Sequence, residues 1–89
     1  MDLVVEIYNL TMIFPNFEKL GLSSQMQRSA VSIPANIAEG SAKSSNKDFA
    51  RFLEMSIGSS YELETELILA SRLKYINSNI FILTQKLNS

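Results

Sequence analysis

Eighty-nine residues of 10.0 kDa leave room for one small domain, residues 1–89, because single cores become marginal below about 70–80 residues. Cysteine and histidine are both absent, which excludes disulfides, thiolate nucleophiles, imidazole bases and the usual zinc and haem sites, so no cofactor is expected. The net charge of −1 argues against nucleic-acid binding by bulk electrostatics but leaves a local basic patch open, and a hydrophobic content of 46% leaves apolar surface for a partner.

Every long segment repeats apolar residues at helical spacing, so the fold class is all-α. The first helix is predicted from about Asp2 to Ile13, with Leu3, Ile7, Leu10 and Phe14 on one stripe and Asp2 placed to cap it. Phe14-Pro15-Asn16 breaks it, and Gly21 ends the connection. Ser24 and Gln27 have the spacing of a capping box, which predicts the start of a second helix with Met26, Ala30, Ile33 and Ile37 on its core stripe. Pro34 predicts a kink there or a division into two shorter helices, and Gly40 is placed as the left-handed residue that stops it.

Ser45 and Asp48 resemble a weaker capping box at the start of the longest element, Asn46 to about Leu73. Phe49, Leu53, Ser56, Ser60, Leu63, Leu67 and Ala70 form a heptad seam on it, with serines in the middle. Small residues there and on the second helix predict tight contact between Ser56–Ser60 and Ala30–Ala38, and Gly58 implies a packing reason for a glycine inside a helix. A turn at Asn77-Ser78-Asn79 precedes a predicted fourth helix with Ile76, Ile80, Leu83 and Leu87 in register. The expected architecture is an antiparallel up-and-down four-helix bundle with a Pro-kinked second helix and a long third one. No apolar run approaches the ~20 residues that cross a bilayer and no signal peptide is visible, so a cytoplasmic protein without a membrane partner is expected.

The run from Ser24 through Gln27-Arg28, Pro34-Ala35-Asn36 and Ala38-Glu39-Gly40 resembles the signature of the bacterial four helix bundle proteins encoded in intervening sequences of 23S rRNA genes. That group is related to the accessory variability proteins of diversity-generating retroelements. The likeness continues through Lys43, Ser45, Lys47-Asp48-Phe49, Phe52-Leu53, Gly58-Ser59 and Glu62-Leu63-Glu64 to Leu67, Leu69-Ala70, Leu73 and Tyr75, with Tyr8, Thr11, Phe14-Pro15 and Gly21-Leu22 upstream. It covers nearly the whole chain. The resemblance implies a four-helix bundle without enzymatic activity that assembles as a ring-shaped homopentamer. In the retroelement branch it also implies binding to RNA or DNA and to a reverse transcriptase. Two departures stand out: Gln27-Arg28 occupies a place where the family usually has two adjacent basic residues, and the chain is expected to lack the first turns of the first helix and the end of the last.

Arg28, Asn36 and Glu39 lie on a polar stripe of the second helix, and Glu62, Glu64 and Glu66 cluster on the third. They are expected to form a structural polar network that fixes register, because a ferritin-like metal site needs Glu-x-x-His motifs. Lys43, Lys47 and Arg51, spaced by four, form either solvated surface or a nucleic-acid-binding patch, and Arg72 with Lys74 form a weaker candidate. Ile57, Tyr61, Ile68 and Tyr75 make a second apolar line, either bundle core or oligomer interface. Two functions compete: a homo-oligomeric, nucleic-acid-associated scaffold or accessory protein, and a protein-binding adaptor ring that does not contact nucleic acid.

Overall fold

The computed structural model describes residues 2–76. They form three α-helices, α1 (Asp2–Thr11), α2 (Leu22–Ser41) and α3 (Asn46–Arg72), with a 3-10 turn at Asn16–Glu18; there is no strand among the described residues. The all-α expectation holds, while the fourth helix predicted from Ile80, Leu83 and Leu87 lies outside the described residues. No helix among the described residues is long and apolar enough to cross a membrane.

α1 stops two residues earlier than its periodicity predicts. The Thr11 hydroxyl donates to the Tyr8 carbonyl (3.0 Å), and the Ile13 and Phe14 amides bond three residues back (3.3 and 3.1 Å). This tightening delivers the chain to Pro15, which disfavours helical geometry in Phe14.

α2 begins at Leu22, and the Ser24–Gln27 capping box does not form. Glu18 does the capping instead: its Oε1 accepts the Leu22 amide (3.1 Å), a charge-assisted bond at the positive end of the helix. Gln27 is thereby free to reach α1, where its Nε2 donates to Thr11 Oγ1 (3.0 Å). α2 passes through Pro34 as one helix, so the expected division does not occur. Gly40 is also not a left-handed stop, since no described glycine has positive φ and α2 continues to Ser41.

The core lies where the three helices meet. Ile7 from α1, Met26 and Ala30 from α2, and Leu63, Leu67 and Ala70 from α3 are fully buried, and Phe14, Leu22 and Ile76 close one end. Ile37, expected on the core stripe, is 43% exposed. At 1.5 Å per residue α1 is only about half as long as α2, so it leaves the far half of α2 uncovered on that side.

α2 and α3 form the principal interface, and small residues carry it as the sequence pattern predicts. Ser56 donates to the Ile33 carbonyl (2.9 Å), and the Ser32 and Ser59 hydroxyls meet at 2.7 Å. At the far end a Cβ on Gly40 would stand 2.8 Å from Phe52 Cβ and 2.9 Å from Phe49 Cδ1, so Gly40 is glycine because α3 lies against it. Gly58 is the opposite case: a Cβ there would meet nothing within 4 Å, and no packing reason exists for it among the described residues.

α3 starts as predicted, with Ser45 Oγ accepting the Asp48 amide (3.1 Å). It ends in a Schellman arrangement, Lys74 N–H to Ser71 O (3.0 Å) and Tyr75 N–H to Ala70 O (2.9 Å), with Lys74 at φ 65 where glycine is usual. That turn swings Tyr75 onto Phe14, ring centroids 5.2 Å apart, and its hydroxyl donates to Glu18 Oε2 (2.9 Å). Glu18 thus joins the end of α3 to the start of α2.

The two helical glycines predict opposite results in urea denaturation at fixed protein concentration. Gly58→Ala is expected to stabilise by about 0.5–1 kcal/mol, the helix-propensity gain alone. Gly40→Ala is expected to destabilise by about 1–2 kcal/mol, because forcing α2 and α3 apart costs more than that gain.

Candidate functional site

The α2–α3 connection brings the first basic triplet together. The Lys43 amide donates to the Gly40 carbonyl (3.0 Å), which holds Lys43 at the same close approach that seats Phe52. Lys43 Nζ lies 5.1 Å from the Phe52 ring centroid and Arg51 Cζ lies 5.4 Å from it, so two cations share one aromatic ring. Lys47, one turn before Arg51, joins it in lining a shallow concavity with Asp48 and Glu54. All three cations are exposed and Phe52 is half-buried. Arg72 and Lys74 are exposed at the other end of α3, where the Lys74 backbone forms the helix stop.

A second feature is an open groove of about 820 Å³ between α2 and α3. Arg28, Ser29, Gly58, Tyr61, Glu62 and Glu66 are among the residues that line it. Burial raises the Glu66 carboxyl above its ordinary pKa; the Ser29 hydroxyl pulls the other way, and the Glu62 charge one turn before adds to the rise. Glu66 Oε1 is buried without a hydrogen-bond partner among the described residues. Of the polar residues singled out by pattern, Asn36 donates through Nδ2 to the carbonyl (2.8 Å) and hydroxyl (2.9 Å) of Ser32, leaving the Ser32 proton free for Ser59 across the interface. Arg28 and Glu62 face the groove, whereas Glu39 stands exposed near the end of α2.

A family model described as 23S rRNA-intervening sequence protein matches residues 1–88. The chain belongs to this family. No curated protein sequence matches it significantly. For a 23S rRNA-intervening sequence protein the apolar line on α3 is of interest: Ile57, Tyr61 and Ile68 are 54%, 64% and 45% exposed and lie within about 40° of one another around the helix. Tyr75 departs from this line, because its ring packs on Phe14 and its hydroxyl is held by Glu18.

Sequence reasoning missed Phe52, the shared platform of the cations, and Glu18, the cap and clasp. Phe52 sits one residue after Arg51 and nine after Lys43, a spacing that carries no periodic signal. Glu18 looks like a surface residue until the end of α3 is placed beside it.

The carboxyl of Glu66 sets a sign for pH dependence. Its pKa is higher in the folded chain than in the unfolded one, so between the two values the unfolded state has lost the proton that the folded state keeps. Stability therefore falls as pH rises from about the ordinary value of 4.5, and this fall is complete once pH exceeds the raised folded value. In Glu66→Gln the fall disappears and stability at pH 7 increases, which thermal unfolding across pH 4–8 checks.

Proposed function

We propose that this chain works as a four-helix bundle that self-associates and serves as a non-enzymatic, nucleic-acid-associated scaffold or accessory protein. The observation that carries the reading is the cluster of Lys43, Lys47 and Arg51, two of whose charges are gathered on the Phe52 ring. Family membership supports it, since the family takes its name from sequences lying within a ribosomal RNA gene. A three-cation site is weak alone, and cyclic repetition would multiply it along a polyanion. A pentameric ring, cytoplasmic location, and RNA, DNA or a reverse transcriptase as partners follow as parts of this proposal.

Mobility-shift titration against a structured RNA and a duplex DNA, at low and at moderate salt, tests the reading. Binding at low salt is expected, and replacing Lys43, Lys47 and Arg51 together by Ala should lower the log–log salt slope by about 2–3. No binding at low salt, or an unchanged slope in the triple variant, overturns it.

The adaptor reading is favoured by a different observation, the exposed line Ile57, Tyr61 and Ile68 together with a net charge of only −1. In the scaffold reading this line is the contact between copies. Tyr61→Glu is then expected to lower the mass found by light scattering, and an unchanged mass removes Tyr61 from the interface. A stoichiometric protein partner that survives nuclease treatment would favour the adaptor.

A further inference from the structure

We propose that Phe52 is the positioning residue of a phosphate clamp that grips a nucleic-acid backbone without reading its bases. This rests on the scaffold reading above and names what the basic cluster recognises. The ring sits 5.1 Å from Lys43 Nζ and 5.4 Å from Arg51 Cζ, so two like charges from different parts of the chain are held around one ring. Two cations repel one another. The negative face of an aromatic ring offsets part of that repulsion, and a bound anion removes the rest. Both cations are exposed, so a phosphate can reach them, and it would compete there with Asp48 and Glu54, which share the concavity with Arg51.

The ring is seated where it is for a reason already visible in the fold. Gly40 admits Phe52 to within contact of the α2 backbone, and the Gly40 carbonyl accepts the Lys43 amide at 3.0 Å. One glycine therefore sets both the approach of the ring and the backbone from which Lys43 extends. Arg51 is adjacent to Phe52 on α3, and Lys47 lies one turn earlier beside Arg51, extending the charge along the helix. Ordering long basic side chains before the ligand arrives lowers the entropic cost of binding.

The clamp is blind to bases because the parts needed to read them are missing from it. Base recognition on single strands uses open aromatic faces for stacking, and Phe52 is half-buried with two cations over it. Bidentate readout in a groove needs a protruding helix or ribbon, whereas these cations lie on the flank of a helix and on the loop that precedes it.

The test uses the whole protein and a 20-base-pair RNA duplex in two scrambled sequences, titrated over a range of salt. Phe52→Leu is expected to weaken binding about three- to tenfold at fixed salt while leaving the salt slope unchanged, because the cations remain and only their placement is lost. Phe52→Trp, which keeps an aromatic face, should bind like the native chain, and the two RNA sequences should bind equally. Native affinity in Phe52→Leu, or more than tenfold discrimination between the sequences, overturns the clamp while leaving the scaffold reading intact. Absence of any native binding overturns both.

Should Phe52→Leu fail to fold, proton NMR of the native protein tests the premise that both side chains lie against the ring, and Phe52→Trp with the two RNA sequences tests the binding. The Lys43 ε-methylene and Arg51 δ-methylene signals are expected upfield of random-coil positions through the ring current, and random-coil values would overturn the clamp.

Discussion

The close approach of α2 and α3 is the constraint on which the other features depend. Two helices can lie this near only where side chains are small, and Gly40, Ser32, Ser56 and Ser59 supply that at successive levels of the interface. The serines also exchange hydrogen bonds across it, so polar groups that would be costly to bury alone become part of the contact. If the helices were a methyl group further apart at Gly40, Phe52 would move away from the backbone that positions Lys43. The basic cluster is thus a consequence of helix packing.

The charge of the chain is close to zero but unevenly distributed. Lys43, Lys47 and Arg51 gather at the start of α3, Glu62 and Glu66 sit in the groove half-way along, and Arg72 and Lys74 stand at its end. A net charge of −1 averages these regions away, which is why bulk electrostatics says little about a chain of this size. The groove sets Arg28 against Glu62 and Glu66, and burial makes the Glu66 carboxyl reluctant to ionise. Under the proposed reading, a polyanion would find its favourable contacts at the basic cluster and not in the groove.

The start and seam of α3 and its small-residue contact with α2 were legible in the sequence, whereas features set by which particular residue meets which across elements were not. The start of α3 at Asn46, its Ser45 cap and its buried seam at Leu63, Leu67 and Ala70 all follow from spacing along one helix. Gly40 was misread because its local cue, a glycine near a helix end, is the same for a left-handed stop and for a close contact, and only the position of Phe52 separates them. Ser24 and Gln27 had the right spacing for a capping box, yet Glu18 stood close enough to cap a helix that starts three residues earlier. Tyr75 fell on an apolar line by counting, but the left-handed Lys74 ends the helix before it and sends the ring to Phe14. Counting along a helix fails at the residue where the helix ends.

The same helix carries both features on which the proposed function rests, and this ties them together. Arg51 precedes Ile57 by six residues, so the clamp lies about 9 Å along the axis from the outward apolar line. A helix transmits that spacing without slack. Under the proposed reading, copies joined through Ile57, Tyr61 and Ile68 would therefore hold their clamps at equal heights around the symmetry axis. A polyanion following that circle would meet a phosphate site at each copy, and affinity would grow with the number of sites it spans. On that reading the outward line would set how many weak clamps act together, and the helix between them would keep those clamps in one plane.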